Sequence, residues 1–336
     1  MERGELPDIA VDPEEMILTV YNATRTRRSY YLTCPCPAVD ARGRRLDHGA
    51  TRDSDGRTTT VTTFVVVLAP LSIMDLCYLR PVGGGGMPDI ASHISDAPVG
   101  HPAPGVFNPA YVLPFPFAPT ERLRRVTCGQ AFGGELTHYH PNTFHAVDLQ
   151  CDVGTPLLAV GSGEVVAARD HCSVSGIHCR NLFEWNSVMI RISVSSLGPY
   201  EATSPDSSGS SPRDGQGEGG STPVGGPNEP SGGKGDVHDK WIYVEYVHIA
   251  RGSLCVKVGD RVQRGQMICK AGDVGFCPTP HVHLQVHESN HPEAPTVRFG
   301  FLSADTPGYY FPEAGLTYEL SLTGKSRVCA PSNDPT

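Results

Sequence analysis

The chain has 336 residues, of which 39% are hydrophobic, and a formal net charge of −9 from 36 acidic and 27 basic side chains. That length holds one large or two ordinary domains with a real core. The acidic balance, with only a small basic cluster at Arg122, Arg124 and Arg125, argues against a nucleic-acid partner, which needs concentrated positive charge.

No run approaches the roughly 20 apolar residues of a membrane-spanning helix. The opening "MERGELPDIAVDPEEM" is acidic and has no apolar centre, so it does not read as a secretory signal. A cytoplasmic chain is the expectation, unless the true start lies elsewhere. The 37 glycines and 30 prolines, together with little helical periodicity, predict an all-β protein of short strands and many turns.

"MILTVYNATRTRRSYYLTCPCPAV" reads as two strands around a polar turn, and "TTTVTTFVVVLAPLSIMDLCYL" as a β-branched run broken at Pro70. Residues 14–82 are therefore expected to form a small β-sandwich-like domain. A Gly/Pro linker follows over 83–106. From 107 the texture changes to short strands between glycine turns. It is interrupted by 204–236, which has almost no apolar side chains and cannot offset the entropy of ordering itself. We read that stretch as a hairpin insertion between "WNSVMIRISV" and "KWIYVEYVHI", since surface loops tolerate added length. Residues 303–336 form a C-terminal extension.

Eleven cysteines is an odd number and none stands in a C-x-x-C pair, so no disulfide framework is demanded. Cys172 and Cys179 bracket "CSVSGIHC" and are spaced so that a turn could bring them together. With His171 and His178 beside them they could also hold a metal, but the stretch reads better as a solvent-facing hairpin.

Chemistry concentrates in three places. "HVHLQVH" alternates His281, His283, Gln285 and His287 with Val282, Leu284 and Val286, the pattern of a half-buried strand. Same-face residues two apart lie about 7 Å from each other, so one histidine can bind a metal while the next faces the reaction beside it. "THYHPNTFHAVDLQCDVGTP" supplies His138, His140, His145 and Asp148, and "IYVEYVHIARGSL" places His248 on a strand face with Val244 and Tyr246. A lone strand histidine is more often structural than functional. Three such clusters in one chain point to a metal site.

These blocks, with "GTPLLAVGSGEVVAA" and "VKVGDRVQRGQMICKAG", resemble the lysostaphin/LytM-type zinc metallopeptidases, also called β-lytic or Gly-Gly endopeptidases. The resemblance runs over about 107–302 in order and spacing. It implies a duplicated hybrid β-sandwich or barrel of the lysostaphin kind, preceded by a small β-sandwich-like region found in one subgroup. It also implies one zinc per chain held by His138, Asp148 and His283, with His281 as general base and His248 assisting catalysis. One departure matters: Phe144 and Ala146 stand where the commoner H-x-G-x-D form has histidine and glycine. The subgroup with an upstream histidine fits "THYHPNTFHAVDL" better. That register favours His138 as the first ligand, with His140 the second candidate for the same place, and makes His145 a neighbour.

The expected activity is zinc-dependent endopeptidase cleavage of peptidoglycan cross-bridges or glycine-rich peptides. The alternative is a non-catalytic zinc-bearing binding module of the same fold. A lipoyl- or biotinyl-carrier module is set aside because no modified-lysine motif is present and the histidines would go unexplained. Nothing in the sequence sets the oligomeric state.

Overall fold

The computed structural model describes residues 8–40, 42–46, 49–82, 89–97, 107–197, 240–305 and 308–329. The insertion read at 204–236 lies outside them. Among the described residues the fold is all-β, with two short 3-10 turns at Cys179–Asn181 and Val194–Ser196. No described helix is long and apolar enough to cross a membrane.

The largest sheet has nine strands, in the order Arg261–Val262, Gly163–Arg169, Ser187–Ser193, Trp241–Val247, His281–His287, Val147–Gln150, Arg125–Gln130, Thr317–Leu320 and Ser326–Val328. Its neighbouring pairs are antiparallel. Alternation explains the packing: Ile242, Val244 and Tyr246, and then Val282, Leu284 and Val286, are fully buried on one face. They join Phe115, Phe299, Phe301 and Tyr318 in the main core. The opposite face carries the polar histidine series. The sequence pattern makes the His281–His287 strand half-buried, yet all seven of its residues are buried. Its polar face is roofed by the 131–145 segment and the 274–280 turn, whose groups bond to it. The Thr317–Leu320 strand, in the stretch read as an extension, pairs with Arg125–Gln130 and so belongs to this sheet.

A second sheet of five strands runs Ser175–Gly176, Gly49–Arg52, Thr58–Leu68, Arg28–Cys34 and Ala91–Asp96. Two features of it differ from the sequence reading. Ala91–Asp96 lies in the stretch read as linker, yet pairs along Arg28–Cys34. The 172–179 stretch is no solvent-facing hairpin. Ser175–Gly176 leaves the large sheet's side of the chain and adds an edge to the N-terminal sheet. Cys172 and Cys179 are both buried free thiols. Cys172 Sγ accepts from Arg169 at 2.8 Å, whereas Cys179 packs with Tyr31 and Phe276.

The junction is polar as well as apolar. Thr51 Oγ1 donates to the Ser175 carbonyl at 2.9 Å, the Cys179 N–H donates to Thr33 Oγ1 at 2.9 Å, and Arg52 pairs with Asp273 at 2.9 Å. Gly176 has φ +91°, and a Cβ there would stand 2.0 Å from the Ala50 carbonyl oxygen. Gly176→Ala combines a left-handed backbone with a clash against main chain, neither of which can relax cheaply. We expect it to destabilise the folded protein by about 2–4 kcal/mol, on the scale of strain and overpacking mutants. Thermal denaturation checks this; an unchanged melting temperature would contradict the pairing.

Candidate functional site

The register of the central strands assembles the site. Asp148 lies directly opposite His283 in the antiparallel pair Val147–Gln150 with His281–His287, and Val247 lies opposite His283 on its other side. His138 reaches the same place from the 131–145 segment and is fully buried. Its Nε2 is 3.1 Å from His283 Nδ1 and 3.2 Å from Asp148 Oδ1, and His283 Nδ1 is 3.0 Å from the same oxygen.

The partners of the far ring atoms assign the tautomers. His138 Nδ1–H donates to the Ala131 carbonyl at 3.0 Å, which leaves Nε2 as a lone pair. His283 Nε2–H donates to Gln285 Oε1 at 3.0 Å, which leaves Nδ1 as a lone pair. Gln285 is oriented in turn, because its Nε2 donates to Glu245 Oε2 at 2.8 Å. Two imidazole lone pairs and a carboxylate oxygen therefore converge with no proton donor among them. A cation between them would relieve this crowding of acceptors. Their mutual spacing is close to the edge of about 3.3 Å expected for a tetrahedron with bonds of about 2.0–2.1 Å. Among the described residues this is the one group of three or more such side chains positioned to hold a metal ion.

Gln130 completes the setting and carries no signal in the sequence. Its Nε2 donates to Asp148 Oδ2 at 2.9 Å and to Thr137 Oγ1 at 2.8 Å, while Oε1 accepts from the Leu136 and Thr137 N–H groups. It thereby ties the turn bearing His138 to Asp148. Gly134 leaves the room, since a Cβ there would stand 2.3 Å from the Gln130 side chain.

Two further histidines face the cluster. His281 Nδ1–H donates to the Thr279 carbonyl at 2.7 Å, and its Nε2 lies 3.4 Å from Asp148 Oδ1. His248 Nδ1–H donates to the Val274 carbonyl at 2.6 Å. Both therefore turn Nε2 inward, with ring centroids 4.7 Å apart. Strict alternation puts His248 on one strand face with Val244 and Tyr246, which point into the core. Instead His248 has φ +63°, a backbone region rarely adopted outside glycine, and its ring lines the cavity with Glu245 and Val247. Gly272 permits the turn, because a Cβ there would meet the His248 carbonyl at 2.8 Å.

The electrostatics separate these groups. Burial opposes charge on Asp148, but His138 and His281 beside it hold its carboxyl well below the ordinary range. Burial also opposes charge on His281, yet the Asp148 carboxylate and then Cys277 raise its pKa well above the usual histidine value. Burial, reinforced by His281 and His283, pushes His248 down to about 3.

The remaining candidates stand apart. His145 is buried; its backbone N–H donates to Thr296 Oγ1 and its Nδ1–H to the Thr296 carbonyl. Its ring packs edge-on to Phe132 and Phe144. His140 lines the cavity of about 460 Å³ in front of the cluster without joining it.

An all-β chain with a buried His/Asp/His cluster and two inward-turned histidines has the make-up of a hydrolytic metal site. Residues 236–295 match Peptidase family M23. Glycyl-glycine endopeptidase ALE-1 of Staphylococcus capitis is 42% identical over 69 residues, covering 20% of this chain and 17% of that protein. The match thus spans well under two thirds of the curated relative. Among solved structures, the chain is similar to the catalytic domain of a point mutant of the prophage-encoded M23 protein EnpA from Enterococcus faecalis, with 17% identity, TM-score 0.30, and 55% and 93% of the two chains covered. It is also similar to the catalytic domain of the antimicrobial peptidase lysostaphin from Staphylococcus simulans, with 18% identity, TM-score 0.28, and 52% and 89% covered.

Proposed function

We infer that the protein is a zinc-dependent endopeptidase whose substrates are peptidoglycan cross-bridges or glycine-rich peptides. The observation that carries this reading is the convergence of three lone-pair ligands at mutual distances of 3.0, 3.1 and 3.2 Å. The family match over 236–295 and the glycyl-glycine endopeptidase likeness support the choice of peptide bond. The proposed hydrolase unit is 107–302, with the Thr317–Leu320 and Ser326–Val328 strands completing its sheet.

His138 Nε2, Asp148 Oδ1 and His283 Nδ1 are the proposed ligands, a nitrogen and oxygen set suited to zinc with a fourth position for water. Bound zinc supplies a Lewis acid that acidifies water and polarises a peptide carbonyl. His281 is the proposed general base. Its Nε2 faces the cluster and its Nδ1–H is anchored; with a cation held by Asp148 that carboxylate's pull on the His281 proton would weaken, so the neutral ring could take a proton from water and pass it to the leaving amine. His248 stays neutral because its buried surroundings disfavour charge, and its Nε2 lone pair orients the water. Burial of all these groups excludes bulk solvent and strengthens each interaction.

Gln285 and Glu245 set which nitrogen of His283 is free, so they act on affinity from outside the ligand set. Gln285→Leu is expected to weaken zinc binding by about 10–100-fold, the usual effect of losing an outer-shell partner. Chelator competition measures this, and unchanged affinity would mean that His283 keeps its tautomer without help. The reading as a whole is tested by incubating zinc-loaded protein with purified peptidoglycan and pentaglycine and identifying the new amino termini.

A further inference from the structure

The cavity in front of the cluster has a second part that the hydrolytic site does not use. Tyr31 and His93 come from the N-terminal sheet, Phe183 and Trp185 from the segment after Cys179–Asn181, and Phe276 from the turn before His281, and all five line the same cavity as His248, His281 and His283. They form an unbroken aromatic series. Ring centroids are 5.7 Å apart for Phe276 and Tyr31, 6.3 Å for Tyr31 and His93, 5.1 Å for His93 and Phe183, and 6.0 Å for Phe183 and Trp185. The far end of the series lies beside the turn that bears Phe276, since Trp185 Cα and Cβ lie 3.0 Å from where a Cβ on Gly275 would stand.

The walls are held in place. Tyr31 Oη donates to the Leu136 carbonyl at 3.1 Å and is 2.6 Å from Tyr139 Oη, so its ring braces the turn that carries His138. Phe183 is 58% exposed, a large apolar ring presented to the cavity mouth. Two polar groups beside the rings, Ser95 and Asp96, are engaged already. Ser95 Oγ is 2.8 Å from Ser29 Oγ, and Asp96 accepts from Thr26 Oγ1 at 2.9 Å and pairs with Arg28 at 3.6 Å. Burial pushes the His93 pKa down, so its ring is uncharged. Against the five rings themselves a sugar's hydroxyls would meet ring faces and two already paired polar groups, whereas an apolar side chain needs no polar partner.

We propose that this aromatic arm, built jointly by the N-terminal sheet and the 182–185 segment, is a substrate subsite that takes a bulky apolar or aromatic side chain next to the scissile peptide bond. The proposal rests on the hydrolase reading for the identity of the ligand as a peptide. It makes the substrate a glycine-containing peptide with one large apolar residue, and it makes the N-terminal sheet a part of the site. The series of rings can bury one aromatic residue, which is worth at least about tenfold in affinity over glycine.

The test uses full-length, zinc-loaded Trp241→Phe protein, in which Trp185 is the single remaining tryptophan. Pentaglycine and four variants with the central residue changed to Ala, Asp, Leu or Phe are titrated against Trp185 fluorescence, and their cleavage is measured in parallel. The Phe and Leu peptides should bind at least about tenfold more tightly than pentaglycine and shift the Trp185 emission. Phe183→Ser, a change at an exposed ring, should bring that ratio close to one. Equal binding of all five peptides, or a Trp185 response to an amino-sugar disaccharide in place of the peptides, would overturn the subsite. Preferential binding of the Phe peptide with no cleavage of any peptide would keep the subsite and remove the hydrolase reading.

Discussion

Asp148→Ala protein is expected to fold and to lose stoichiometric zinc. Asp148 is the single carboxylate of the cluster, and its Oδ1 lies within 3.2 Å of both His138 Nε2 and His283 Nδ1. Removing it leaves two neutral imidazoles and no negative charge to offset a divalent cation. The loss of affinity should exceed the roughly 10–100-fold that follows from losing an outer partner. His138→Ala and His283→Ala should do the same. His145→Ala is the control: it forfeits hydrogen-bond and packing energy of about 1–3 kcal/mol but should keep one zinc per chain. Metal quantification after dialysis decides between them. Zinc retained in Asp148→Ala but lost in His145→Ala would place the site elsewhere.

A loss of turnover with zinc retained is expected from the two histidines outside the ligand set. His281→Ala and His248→Ala should each retain zinc, because each ring is anchored through Nδ1 to a backbone carbonyl and belongs to no ligand triangle. Peptide hydrolysis should fall by about 10²–10⁴-fold in each, the range for a lost general acid or base. The double variant should fall by less than the product, since both groups serve one transition state. His248→Ala should also lose about 1–3 kcal/mol of stability, because it leaves the Val274 carbonyl without its Nδ1–H donor. Loss of zinc in His281→Ala would mean that the His281–His287 strand supplies two ligands, and the roles along it would have to be exchanged.

Much of this arrangement is legible in the chain because it is written in short-range pattern. The period-two alternation of "HVHLQVH" separates core residues from functional ones, and the pairing of Asp148 with His283 follows once both strands lie side by side. What stays hidden depends on contacts between residues far apart in sequence. Gln130 and Gln285 look like ordinary strand polar residues, and only the fold shows that one ties His138 to Asp148 and the other sets the His283 tautomer. His248 breaks the alternation through a single dihedral angle, which no periodicity reports. The Ser175–Gly176 edge strand is hidden for a similar reason. Two residues are too few for a pattern, and Ser175 meets its partner strand at Thr51, 124 positions away in the chain. The same holds for the aromatic arm, whose Tyr31 and Phe276 meet only because the N-terminal sheet packs against the 274–280 turn.

If bound zinc makes this chain a peptide hydrolase, activity must follow the metal. Protein stripped with a chelator and then titrated with zinc can be assayed against purified peptidoglycan and glycine-rich peptides. The stripped protein should cleave nothing, and cleavage should return and saturate at one zinc per chain. Protein that takes up one zinc and leaves every substrate intact would instead be a zinc-bearing binding module of the same fold, and the hydrolase assignment would fall.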